Sequence, residues 1–208
     1  MSASITVLSE WDSKQLLGPD LPRPHEARTT TRDEALQFAD SYNGLFVAKA
    51  SGIAHKSDAG MVRLGLTAQE LGACWGELAA AGDGTVLVAE HVHGELELII
   101  GGSRDASFGP LITVGLGGVA AEVFSDVGVL LSPPEPHELE DTVSRLRASA
   151  LFAGYRGSPP VELAELALIV DVVAQLLERD PDVVEIDCNP VLVCAGRPTV
   201  LDALVVKR

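Results

Sequence analysis

Positive charge is scarce in this chain. Lysine and arginine together number 15 against 30 aspartates and glutamates, for a formal net charge of −15. Such a surface repels polyanions, which argues against nucleic acid or an anionic membrane as partner; a small anion binds only where cations are gathered locally. Cysteine is equally sparse. Cys74, Cys188 and Cys194 show no CxxC spacing and cannot all pair with one another, so the expectation is a reduced, cytoplasmic protein whose cysteines fill apolar space. No apolar run approaches the ~20 residues of a membrane-spanning helix. The opening MSASITVLSEWDSK has no basic stretch followed by a long apolar one, so no secretory leader is expected. The chain also lacks GxxxxGK[ST], and the GLGGV at Gly115 falls short of a full GxGxxG.

What is present is apolar and patterned. Hydrophobic residues make up 47% of 208, enough for an ordered fold of one large domain or two small lobes. The first 30 residues are weakly patterned: Val7, Leu8, Trp11, Leu16 and Leu17 suit a short amphipathic helix, and Pro19, Pro22 and Pro24 an extended link. Thr31 to Glu34 and Thr67 to Glu70 have capping-box spacing, each ahead of an amphipathic helix. Strands are expected at Leu45–Ala50, Met61–Leu66, Val86–Glu90, Glu95–Gly101 and Pro110–Gly115. A hairpin is expected over Val119–Ser125 and Val127–Leu131, then helices over Pro136–Arg147 and Val161–Arg179. Three apolar runs finish the chain: Val183–Asp187, Val191–Cys194 and Thr199–Leu204. The expected division is an N-terminal segment (1–30), a small lobe (31–90) and a large lobe (91–208).

Two places carry candidate chemistry. The run FVAKASGIAHKSDAGMV, Phe46 to Val62, holds two of the four lysines in the chain. Lys49 ends an apolar strand, where an ammonium faces an anion or snorkels to solvent. The small-residue loop behind it offers backbone N–H groups suited to phosphates. His55 reads as an exposed loop residue, a proton carrier or a nucleophile. At the other end, Asp187, Asn189 and Val191 share one face of a strand. If Cys194 pairs with Thr199 across the Ala195–Pro198 turn, Asp202 falls opposite Val191 and diagonally across from Asn189. Two carboxylates and an amide oxygen suit Mg²⁺; the competing reading is a turn-capping Asn-Pro beside two exposed acids.

The HKSDAG loop, the tract ELELIIGGSRDASFGPLITVGLGGVAAE, the GYRGSPP loop and EIDCNPV resemble the ATP-grasp domain of ADP-forming acyl-CoA synthetases. The likeness is to their separate β subunit above all, and to the related succinyl-CoA synthetase β subunit, and it runs from about Ala35 to Val206. It implies an α/β (α+β) ATP-grasp fold of two lobes with nucleotide between them, and ATP/ADP and Mg²⁺ as cofactors. By the same resemblance Lys49 lies on the α and β phosphates, and the loop His55 to Gly60, with Lys56 and Ser57, covers them. His55 accepts and passes on a phosphoryl group. Glu90 through Val92 hold adenine, Glu97 lies near the ribose, Glu122 near the phosphates, and Asp187, Asn189 and Asp202 bind Mg²⁺. Arg104 and Arg156 sit in family motifs, either in the chemistry or paired structurally. A partner α chain is implied, supplying the sites for CoA and a small carboxylic acid, since no CoA-binding Rossmann unit is expected here. A stand-alone carboxylate ligase and a non-catalytic ATP sensor are the alternatives. The chain departs from the family at Met61, where a second glycine is usual; if that position needs φ > 0, methionine strains the loop.

Overall fold

The computed structural model describes residues 5–52, 60–118 and 125–208. They form two compact units, one of Pro24–Val92 and a larger one joining the chain up to Arg23 to His93–Arg208. Both are mixed helix–sheet structures with antiparallel sheets.

The smaller unit comprises, in chain order, strand β2 (Glu26–Thr29), helix α2 (Arg32–Asp40), β3 (Phe46–Ala50), β4 (Val62–Leu66), α3 (Ala68–Ala81) and β5 (Val86–Glu90). The strands lie in the order β2-β5-β3-β4, every pair antiparallel. Both capping boxes form as their spacing predicts: Thr31 Oγ1 accepts from Glu34 N at 3.2 Å, and Thr67 Oγ1 from Glu70 N at 3.3 Å. Alternation turns Phe46, Ala48, Ala50, Val86 and Val88 into a core with Ala35, Leu71 and Leu78 of the helices. The opposite face of the sheet carries Val47, Lys49, Leu87 and Ala89.

The residues that follow β3 are tied down by a close approach of two backbones. A Cβ on Gly82 would lie 2.2 Å from the Ser51 carbonyl oxygen, so only glycine lets these two backbones approach; Asp83 N then donates to that oxygen at 3.0 Å. Burial pushes the Asp83 carboxyl up, but hydrogen bonds from the Thr85 hydroxyl and amide, the charge of Arg28 and a bond from Ser51 outweigh it and hold the group below its ordinary value. A lowered carboxyl contributes stability that is present above the unfolded value, about 3.9, and lost as pH falls through the folded one. Asp83→Asn is therefore expected to lower the urea midpoint at pH 7, and the gap to the parent protein to close toward pH 3. A gap that is the same at both values would contradict this.

The larger unit comprises β1 (Thr6–Val7), α1 (Glu10–Leu17), β6 (Leu96–Asp105), β7 (Gly109–Leu116), β8 (Val127–Leu131), α4 (Pro136–Arg145), α5 (Ser149–Phe152), α6 (Leu163–Arg179), β9 (Val183–Cys194), β10 (Arg197–Val200) and β11 (Ala203–Lys207). The sheet runs β1-β11-β9-β6-β7-β8, with β10 also paired to β9. Helix α6 presents Leu166, Ile169, Val170, Val173, Leu176 and Leu177 as one helical stripe. They pack on Leu98, Ile100, Ile112, Val114, Ile186 and Cys188 of the sheet, each buried aliphatic side chain contributing about 1.5–3 kcal/mol before entropy is counted.

The chain departs from the sequence expectation in its N-terminal part. Residues 5–23 are no separate segment: Thr6 and Val7 pair with Lys207 and Val206, and Leu17 and Leu21 enter the core of the larger unit. Glu26–Thr29, placed by expectation in that same segment, is a strand of the smaller unit. Strand β8 pairs with β7, Leu111 facing Leu131 and Gly115 facing Val127; most of its expected hairpin partner, residues 119–124, lies outside the described residues. The inward face of α1 is also not the apolar one. It consists of Glu10, Ser13, Lys14 and Leu17, while Val7 is 55% exposed.

Candidate active site

The acid corner is set by a turn. Ala195 and Gly196 have φ of 50° and 85°, the left-handed pair that closes a two-residue hairpin, so Arg197 faces Cys194 and Val200 faces Val191. This is two residues tighter than the four-residue turn expected from sequence. Asp202 is consequently not opposite Val191 but directly across from Asn189, whose N–H donates to the Asp202 carbonyl at 3.2 Å. Beyond it Ala203 faces Cys188 and Leu204 faces Asp187. Ile186, Cys188, Ala203 and Val205 are buried in the core shared with α6, so Asp187, Asn189 and Asp202 emerge together on the other face.

The donor set fits a hard divalent cation. Burial first, and the Glu185 carboxylate second, push the Asp187 carboxyl above its ordinary value, the condition that a bound cation relieves. Among the described residues no three His, Cys, Asp or Glu side chains group as a metal site by themselves. Two carboxylates and one amide oxygen leave positions for water and phosphate, which is how Mg²⁺ is usually held. Cys188, between Asp187 and Asn189, is no ligand: burial and then the charge of Asp187 push its thiol up to about 12, and it serves as the apolar filler expected. All three cysteines are free.

Glu97 lies near the start of β6, a central strand of the same sheet, across from Leu192. A Cβ on Gly118, where φ is 61°, would fall 2.1 Å from its Oε2, so glycine there is what admits the carboxylate. In the smaller unit Lys49 faces Val62 and Leu87 across its two neighbouring strands and is half-buried among Val47, Leu87 and Ala89. Glu90 ends β5; its N–H donates to His25 O at 3.0 Å, and its carboxylate accepts from the Tyr42 phenol, which pushes that phenol up. Val92 is the last residue of this unit. His55, Lys56, Ser57 and Glu122 lie outside the described residues.

Arg104 is bonded to backbone carbonyls, a structural role. Its Nε donates to Val183 O at 2.7 Å and Nη2 to the carbonyls of Asp180, at 3.0 Å, and Leu177. The guanidinium thus caps the C-terminal end of α6, where carbonyls lack partners and the helix dipole favours a cation. Arg104→Met is expected to cost about 1–3 kcal/mol of folding stability, measured by urea unfolding, with turnover per folded molecule unchanged. Arg156 stacks on Tyr155 at 5.4 Å. The concern at Met61 is also answered: the left-handed position falls on Gly60, φ 67°. Met61 accepts from Ala50 N at 3.0 Å and packs on the small core.

Sequence reasoning missed the supports. Asp83 beside Ser51 and the buried Glu10–Lys14 pair gave no signal, since a Glu and a Lys four residues apart ordinarily mark a solvent-facing helix pair.

Comparison with known proteins defines the class. The ATP-grasp domain family matches residues 1–206. The ADP-forming acetate–CoA ligase I of Archaeoglobus fulgidus is 34% identical over 82% of this chain and 26% of its own length. The β subunit of ADP-forming acetate–CoA ligase II of Pyrococcus furiosus is 31% identical over 90% of this chain and 85% of the subunit. Among solved structures, acetyl-coenzyme A synthetase 1 of Candidatus Korarchaeum cryptofilum, in complex with coenzyme A, Ca-AMPCP and HgCl⁺, has a TM-score of 0.88 at 27% identity, covering 97% of this chain and 93% of that one. A second complex of that enzyme holds coenzyme A and Mg-AMPPCP with its phosphohistidine segment pointing towards the nucleotide binding site; its TM-score is 0.85 at 28% identity, with the same coverage. The chain belongs to the ATP-grasp domain family. It spans 26%, 28% and 30% of the length of three curated relatives but most of a separate β subunit. No helix among the described residues is long and apolar enough to cross a membrane.

Proposed function

We propose that this chain is the β-type, nucleotide-binding subunit of an ADP-forming acyl-CoA synthetase and acts with a CoA-binding α-type partner in the cytoplasm. The supporting observation is the near end-to-end likeness to a separate β subunit, joined to an acid corner whose donors suit Mg²⁺. Lys49 would face the α and β phosphates, Glu90 and Val92 adenine, Glu97 the ribose, and Lys56, Ser57 and Glu122 the phosphate region. Asp187, Asn189 and Asp202 would hold Mg²⁺, which when bound offsets charge on the phosphates. A ring nitrogen of His55 attacks the terminal phosphorus of ATP. The N–P bond forms as the bond from phosphorus to the bridging oxygen breaks, and ADP leaves with that oxygen. The phosphoryl group then passes to the partner, where it activates a small carboxylic acid as acyl phosphate, and the thiol of CoA displaces phosphate. Reversal of these steps makes ATP.

The test is ADP formation with Mg²⁺, CoA and a panel of small acids, with and without the co-purified partner. ADP that requires the partner and CoA is the expected result. ADP released by the isolated chain on adding an acid and an amine or thiol would instead establish a stand-alone ligase. With the methionine at position 61 accommodated without left-handed backbone, no observation here favours a purely sensory role.

A further inference from the structure

The buried face of α1 is built from charged and polar residues. Glu10 is 3% exposed, Ser13 0% and Lys14 1%, in a helix that lies against β11 and α6. Ser13 Oγ accepts from Val205 N at 3.0 Å, taking over a ladder position beyond β1. Lys14 Nζ donates to Glu10 Oε1 at 2.9 Å and to the carbonyl oxygen of Leu201 at 2.9 Å. Leu201 and Asp202 are the two residues between β10 and β11, where the regular ladder is interrupted. There Leu201 N donates to Pro190 O and Asn189 N to Asp202 O. A buried ammonium is costly unless it is paired and hydrogen-bonded, and Glu10 and the Leu201 carbonyl meet that need for Lys14. Here it grips the backbone one residue from Asp202.

We infer that Lys14 is a positioning residue for the cation corner: held by Glu10 and bonded to Leu201 O, it fixes the β10–β11 junction so that Asp202 stands beside Asn189 and Asp187. The inference rests on the reading of that corner as the metal site. It makes α1, 188 residues before Asp202 at Lys14, a support of the nucleotide chemistry.

A buried ion pair replaced as a pair by apolar residues of similar volume is often neutral for stability. The double variant Glu10→Leu/Lys14→Met therefore separates folding from positioning. The measurement is Mn²⁺ binding to the full chain by electron paramagnetic resonance, with thermal unfolding alongside, for this variant, Lys14→Met, Lys14→Arg and Asp202→Asn. Loss of a group that orients a metal ligand typically weakens metal affinity 10–100-fold. That weakening is expected in the double variant at an unchanged melting temperature, with substantial recovery in Lys14→Arg, whose guanidinium still donates to Leu201 O. Where Lys14→Met alone fails to fold, the double variant and Lys14→Arg carry the test. Parental Mn²⁺ affinity in the double variant, with Asp202→Asn impaired, would overturn the inference alone. Parental affinity in Asp202→Asn would overturn the metal-corner reading beneath it.

Discussion

Asp187→Asn and Asp202→Asn are each expected to lower Mg²⁺-dependent phosphoryl transfer by at least about 100-fold, the scale of losing one preorganised electrostatic contact at a reacting centre. Phosphoryl transfer passes through a loose transition state, so the protein contributes mainly position and charge neutralisation. Removing a carboxylate from a corner with only two leaves one acid and one amide to hold a divalent cation. The Asp187 variant carries a second, opposite expectation. Its carboxyl is raised by burial and by Glu185. Between the ordinary and the raised value the folded chain binds more protons than the unfolded one, so stability falls there as pH rises and stays lowered above. Asparagine removes that cost. Metal-free Asp187→Asn should melt above the parent protein at pH 7 yet lose the upward shift that Mg²⁺ with ADP gives the parent. A parental shift in both variants would remove Mg²⁺ from this corner.

His55→Ala is expected to abolish partner-dependent turnover, by about 10⁴-fold or more, since the proposed relay loses its nucleophile. Nucleotide affinity, which in the proposed function rests on Lys49, Glu90, Val92 and the acid corner, should change less than about threefold. The pairing of these outcomes matters. A fall in turnover with an equal fall in affinity would make His55 a binding residue, and equal activity in the variant would remove it from the relay altogether.

How much of this was legible in the sequence differs between local and long-range features. The capping boxes at Thr31 and Thr67 were readable because their determinants lie within four residues. So was the alternation that sends Asp187 and Asn189 to one face, although it breaks at Val191, which joins Ile186 and Cys188 in the core. The position of Asp202 was misread by two residues, because a Cys-Ala-Gly-Arg-Pro stretch admits either a two- or a four-residue turn. Only left-handed φ at both Ala195 and Gly196 decides it. The arginine in the GSRD motif looked functional by its company, yet its bonds go to carbonyls 73 to 79 residues away in sequence, which no local pattern reports. The inward face of α1 was hidden for a related reason: periodicity is read from apolar residues, and this helix turns Glu10, Ser13 and Lys14 inward.

The relay is tested most directly by following labelled phosphate. The chain and its co-purified partner are incubated with Mg²⁺ and ATP labelled at the terminal phosphate, then separated in alkali, where phosphohistidine survives. Label on this chain at His55, absent from His55→Ala, and passing to the partner within the turnover time is the predicted result. Label that reaches only a small acid, or no label on either chain, would contradict it.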